Sequence, residues 1–179
     1  AGTLSAQAFM NLDATASSTN GFAKATAGDG TSKLTGIAAG LDLDILGAGS
    51  VTALAQGTAD AIASTVGNAA ADEATAKVDL DALGIDSLLY DTGADALLSA
   101  TAKLVGSADA SAVGAGPSLA DLTLNATGLY RTAVDSEADG TITALGSAIG
   151  SLSAEGVGGA ATALADFDGL GISNVVGNQ

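Results

Sequence analysis

The chain opens on an alternation. From Thr3 to Ser17 the even positions Leu4, Ala6, Ala8, Met10, Leu12, Ala14 and Ala16 are all apolar, and the odd positions are polar except Phe9. Successive side chains of a strand point to opposite faces, so a period of two predicts one long, two-faced strand. The pattern returns in 73–83, with Ala74, Ala76, Val78, Leu80 and Ala82 against Thr75, Lys77, Asp79 and Asp81. It returns again with Ala108, Ala110 and Ala112, and with Ala120, Leu122, Leu124 and Ala126 against Asp121, Thr123, Asn125 and Thr127. Glycines punctuate these runs at intervals of roughly 8–13 residues, the spacing of turns in an all-β domain.

The pattern therefore predicts an all-β fold. A two-layer, jelly-roll-like β-sandwich is favoured, with a flattened β-solenoid as the alternative. A loose repeat bears on that choice: "DLDILGAGS" starts at Asp42, "DLDALGIDS" at Asp79, "DLTLNATGL" at Asp121 and "DFDGLGIS" at Asp166. Its drifting spacing weighs against a fixed-period solenoid. Two alanine-rich stretches, 51–66 and 94–105, leave room for one or two short helices, because alanine is the best helix former. Pro117, in "GAGPS", marks a turn. The expected organisation is an extended strand or arm over 1–17, available for donation to a neighbour, and a single all-β domain over 18–179.

Composition narrows the chemistry. The 179 residues include 20 Asp plus Glu against 5 Lys plus Arg, a net charge of -15. Nucleic acid binding needs clustered cations, and Lys24, Lys33, Lys77, Lys103 and Arg131 are scattered. No apolar run approaches a membrane helix. Aromatics are too few, at 3%, for the girdles of a membrane barrel. Neither nucleic acid nor membrane insertion is expected. There is no His and no Cys, which removes imidazole bases, thiol nucleophiles and the usual zinc, haem and iron–sulfur ligands. No phosphate-binding glycine loop is present. The chain does not read as an enzyme, and no cofactor is expected.

Carboxylates are the remaining candidate chemistry. Asp42 and Asp44, Asp79 and Asp81, and Asp166 and Asp168 form three D-x-D pairs. On a strand both acids of a pair share a face, and clustered oxygens of that kind suit Ca²⁺. Calcium is therefore the one metal these positions would serve, though no pair completes a full calcium loop. Their plainer role is a solvated strand face.

Function is then read from architecture. A 14-residue strand spans roughly 46 Å, far beyond the usual five or six residues. Such a strand, with Leu4, Ala6, Ala8, Met10, Leu12 and Ala14 as its inserted face, could complete the open sheet edge of a neighbour. A head-to-tail contact of that kind does not close and builds filaments. Ala1 in first place fits a mature exported chain. The expectation is a secreted structural subunit that polymerises with itself into an extracellular filament, pilus-like fibre or surface layer. The competing class is a monomeric extracellular binding module for calcium, carbohydrate or an adhesion target.

Overall fold

The computed structural model describes residues 2–37, 42–45, 48–86, 89–92, 95–130, 133–136, 141–173 and 176–178. They form thirteen strands and no helix, and the chain runs through them in four successive coils. The first coil holds β1 (Thr3–Thr19), β2 (Ala23–Ala27), β3 (Lys33–Ile37) and β4 (Asp42–Ile45). The second holds β5 (Ser50–Gly67), β6 (Ala74–Asp86) and β7 (Leu89–Thr92). The third holds β8 (Leu97–Gly114), β9 (Ser118–Tyr130) and β10 (Ala133–Ser136), and the fourth β11 (Thr141–Val157), β12 (Ala161–Ser173) and β13 (Val176–Asn178).

Each strand pairs with its counterpart in the next coil, never with its neighbour in sequence. The first sheet has the order β1-β5-β8-β11, the second β12-β9-β6-β2 with β3 also on β6, and the third β13-β10-β7-β4. All ten described pairings are parallel. Thr3 lies beside Ser50, Ser50 beside Leu97, and Leu97 beside Thr141. The two long sheets face each other, β5 against β6, β8 against β9 and β11 against β12. That is the two-layer part of the expectation. The winding, however, is that of the flattened solenoid, since a jelly roll is built from antiparallel strands. Parallel neighbours need a crossover of a dozen residues or more, and here the rest of each coil supplies it.

The stretches considered as helices, 51–66 and 94–105, lie mostly in β5 and β8. In β5 the odd positions Val51, Ala53, Ala55, Ala59, Ala61 and Ala63 are all buried. A helix would scatter that set around its axis. Helix propensity is worth less than about 1 kcal/mol per residue for ordinary residues, and a strand with hydrogen-bonded neighbours on both edges outweighs it. The alternation was masked because Leu54, Ile62 and Val66 are apolar on the outer face.

The core is built largely from methyl groups. Columns of inward residues run down the stack, such as Ala6, Ala53, Ala100 and Ala144. Each buried CH₂ contributes only about 0.8 kcal/mol, so the core gains by number and close fit. Leucines of the second sheet sit against glycines of the first. A Cβ at Gly106 would lie 3.0 Å from Leu122 Cδ1, and one at Gly150 would lie 2.5 Å from Leu122 Cδ2. Another glycine set, Gly36, Gly84, Gly128 and Gly171, marks where the second sheet closes onto the first. A Cβ at Gly84 would meet the Gly128 carbonyl oxygen at 2.5 Å and the Thr101 nitrogen at 2.9 Å. No helix among the described residues is long and apolar enough to cross a membrane.

Candidate assembly surfaces at the two ends of the stack

The strand that opens the sequence is an edge strand of its own subunit. Every residue of β1 from Thr3 to Thr19 is in parallel register with β5, and the other edge of β1 is open. The even face points inward as expected. Met10, Leu12 and Ala14 pack against the main core, Leu4 and Ala6 against a second cluster around Val51 and Leu98, and Ala8 is half-buried. Phe9, on the outer face, is 63% exposed. Polar side chains bridge coils on that outer face: Thr58 donates to Asn11, and Ser107 donates to Asp60 over 2.6 Å.

The D-x-D pairs lie apart. Asp79 and Asp81 are on the outer face of β6, and Asp166 and Asp168 on that of β12. Strand β9 separates them, with Thr123 between Asp79 and Asp166 and Asn125 between Asp81 and Asp168. Asp79 is paired with Lys77 at 3.2 Å, and Asp81 accepts from Asn125 Nδ2 at 2.8 Å. Asp42 and Asp44 are in β4, where Asp44 shares register with Asp91. Their side chains, like Arg131, lie outside the described residues. Among the described residues no three metal-capable side chains gather.

What the structure brings together instead lies at the ends. In the first coil, Ala27 pairs with Val78 and Lys33 pairs with Asp81. Strand β6 has two residues between those pairs, Asp79 and Leu80, whereas the first coil has the five-residue stretch 28–32. That surplus bulges as a loop. Gly28 at φ 84° and Gly30 at φ 66° give it left-handed turns. Asp29 Oδ1 accepts from the backbone N–H groups of Ser32 and Thr31, each at 2.9 Å. These two bonds, Ser32's first, hold the Asp29 carboxyl down at about 2. The loop packs on β6, where the Gly30 N–H donates to the Asp79 carbonyl oxygen at 3.3 Å and Leu80 is fully buried, and a cavity of about 340 Å³ opens between the loop and β1, lined by Met10, Leu12, Asp29, Ser32, Asp79 and Leu80.

At the other end the fourth coil is uncovered. Residues Ala161–Leu170 of β12 are all exposed, including the inward positions Ala163, Ala165 and Phe167. Their register partners Ala120, Leu122 and Leu124 are fully buried. On β11, Ile142 is 38% exposed, and its partner Leu98 is 0%. Leu80, Leu124 and Phe167 form one column, so the aromatic ring and the cavity stand at opposite ends of one line through the stack.

Neither Phe167 nor the cavity was singled out from sequence. Phe167 sits inside "DFD", between the two acids of a D-x-D pair. The readable signal was the "AGDGTS" break in an alternating run, which a coil-by-coil register would have exposed. No protein-family model, no curated protein and no solved structure matches the chain.

Proposed function

We propose that this chain is a secreted structural subunit that self-assembles into an extracellular filament or surface layer. The observation that carries the reading is the fourth coil: inward residues there lie open, while the same columns one strand earlier are fully buried. An open parallel edge is a template for further strands. The acidic surface, at a net charge of -15, favours solubility and suppresses sideways adhesion. The role is mechanical rather than catalytic, and it needs no cofactor.

Assembly could proceed by exchange of β1, with Leu4, Ala6, Ala8, Met10, Leu12 and Ala14 entering a neighbour. That route must first break seventeen residues of register with β5. Adding a neighbour to edges that are already open breaks nothing. Negative-stain microscopy at rising protein concentration tests the reading. Filaments or sheets of uniform width are expected, and monodisperse particles at every concentration would contradict it.

The cavity at the first coil favours one other reading, a monomeric extracellular binding module. It predicts saturable heat on titration with calcium or an oligosaccharide and no growth in particle size with concentration.

A further inference from the structure

We infer that two copies of this chain pack face to face through the outer surface of the first sheet, about a two-fold axis that crosses its strands. The pairing goes beyond the filament reading and uses the flat of the sheet, not the first or the fourth coil. Strands β1, β5, β8 and β11 each present nine outer positions. They stand in register as nine columns, from Thr3–Ser50–Leu97–Thr141 to Thr19–Val66–Val113–Val157. Eight of the fourteen exposed large apolar side chains among the described residues are on this face. Four of them, Ile62, Val66, Leu97 and Val113, stand on the two inner strands, where both neighbouring strands are in place and still leave them 43–55% exposed. Charge is sparse here. Five of the 36 outer positions carry one, against three of the four outer residues from Thr75 to Asp81 on β6. The acidity that suppresses sideways adhesion is thinnest on this face.

Two observations select a second copy as the occupant. The first is area. The face extends about 53 Å along its strands and about 19 Å across them. Covering it hides on the order of 1,000 Å² per copy, against about 800 Å² in a standard stable pair. The second is self-complementarity, which a two-fold contact demands because it sets one surface against itself. The axis runs over the fifth of the nine columns, Asn11–Thr58–Val105–Ile149. Folding the face about that column lays Leu54 over Ile62 and Leu97 over Val113, and it lays the hydroxyls of Thr52 and Ser99 over those of Ser64 and Ser111. The acids Asp13, Asp60, Asp109 and Glu155 all lie on one side of the axis column, and the cation Lys103 lies on the other. No acid therefore meets an acid. Lys103 comes over Ser107, between the register partner of Ser107, Asp60, and its strand neighbour Asp109. A two-fold along the strands would instead gather the acids of both copies into one half. With four acids and one lysine each face remains net negative, a repulsion that physiological salt screens beyond about 8 Å.

The absence of native cysteine makes the contact directly testable. Val105 is on the axis column, so Val105→Cys faces its own counterpart and should oxidise to a covalent dimer without a longer ladder. Thr123→Cys, on the outer face of β9, should give none. Sedimentation equilibrium of the wild type at physiological salt should show monomer and dimer in exchange. Ile62→Asp sets a carboxylate over Leu54 and should raise the dimer dissociation constant by about tenfold or more. Leu119→Asp, the same kind of change on the outer face of the second sheet, should leave it unmoved. Circular dichroism should show an intact β-fold in both. A wild type that stays monomeric at every concentration, a dimer indifferent to Ile62→Asp, or equal cross-linking of Val105→Cys and Thr123→Cys overturns the pairing and leaves the face to a partner of other chemistry. Filaments that form in spite of such a result keep the structural reading alive. Closed dimers that respond to Ile62→Asp and never lengthen would uphold the pairing and overturn that reading.

Discussion

Leu124 and Phe167 occupy adjacent places in one column, and their surroundings differ completely. Leu124, on β9, has a coil on each side and is fully buried. Phe167, on β12, has a coil on one side and remains 43% exposed. The alternation that turns them inward is the same, and so is the strand type. In a coil stack, burial is therefore a property of position along the axis as much as of sequence. An inward residue at an end is buried only when something else supplies the next coil.

Four measurements break or sharpen that contrast. The largest effect is expected from Leu124→Ala, which should cost about 2–5 kcal/mol as a cavity in a packed core. Phe167→Ala, in the same column, should cost the isolated chain far less, about 1 kcal/mol for a half-buried side chain. Urea melts of dilute protein compare the two directly, and equal losses would mean that the fourth coil is as closed as the third. Next is the glycine set. Gly128→Ala puts a methyl 2.6 Å from the Gly171 carbonyl oxygen and 2.7 Å from the Leu145 nitrogen, and overpacking of this sort costs about 1–3 kcal/mol. Gly171→Ala, one coil nearer the open end, meets the Ala144 oxygen at 2.9 Å and should be milder.

The third concerns the loop that opens the cavity. The folded carboxyl of Asp29 titrates at about 2, below its ordinary value of 3.8, because the Ser32 and Thr31 N–H groups bond its ionised form. Its contribution is then complete above about pH 4 and is lost as pH falls toward 2. Asp29→Asn should melt slightly below wild type at pH 5, and the gap should close by pH 2. A gap that stays constant across that range would mean the carboxylate charge is irrelevant to the loop. The smallest effect belongs to the outer face of the second sheet. Lys77→Met removes the pairing with Asp79 and should shift stability by less than about 1 kcal/mol, as exposed ion pairs do.

Much of the layering was legible in the sequence. The inward sets read from alternation in β1, in β6 up to Ala82, at Ala108–Ala112 and in β9 are those that face the core. Alternation tells which way a side chain points and says nothing about which strand lies alongside. Parallel and antiparallel partners produce the same period, so sandwich and solenoid remained open until the register appeared. The D-x-D repeat misled for a related reason. Its Asp42 copy belongs to the third sheet, and in register Asp79 aligns with Thr123, not with Asp121. Coil lengths drift from 47 residues between Thr3 and Ser50 to 44 between Leu97 and Thr141, enough to blur a repeat read by eye. Of the candidate site, the inward face of β1 was legible. The exposed ring of Phe167 and the cavity were not, because each exists only when residues far apart in sequence share a column.

Hydrogen exchange of the backbone amides in β12, followed from dilute to concentrated protein, tests the open end most directly. In dilute solution the β12 amides that point away from β9 should exchange rapidly, while amides throughout β9 stay protected. At assembly concentrations the β12 amides should slow toward the β9 rates, together with those on the open edge of β1. Strong protection of β12 in dilute monomer, or rapid exchange that persists once particles have formed, would contradict the account.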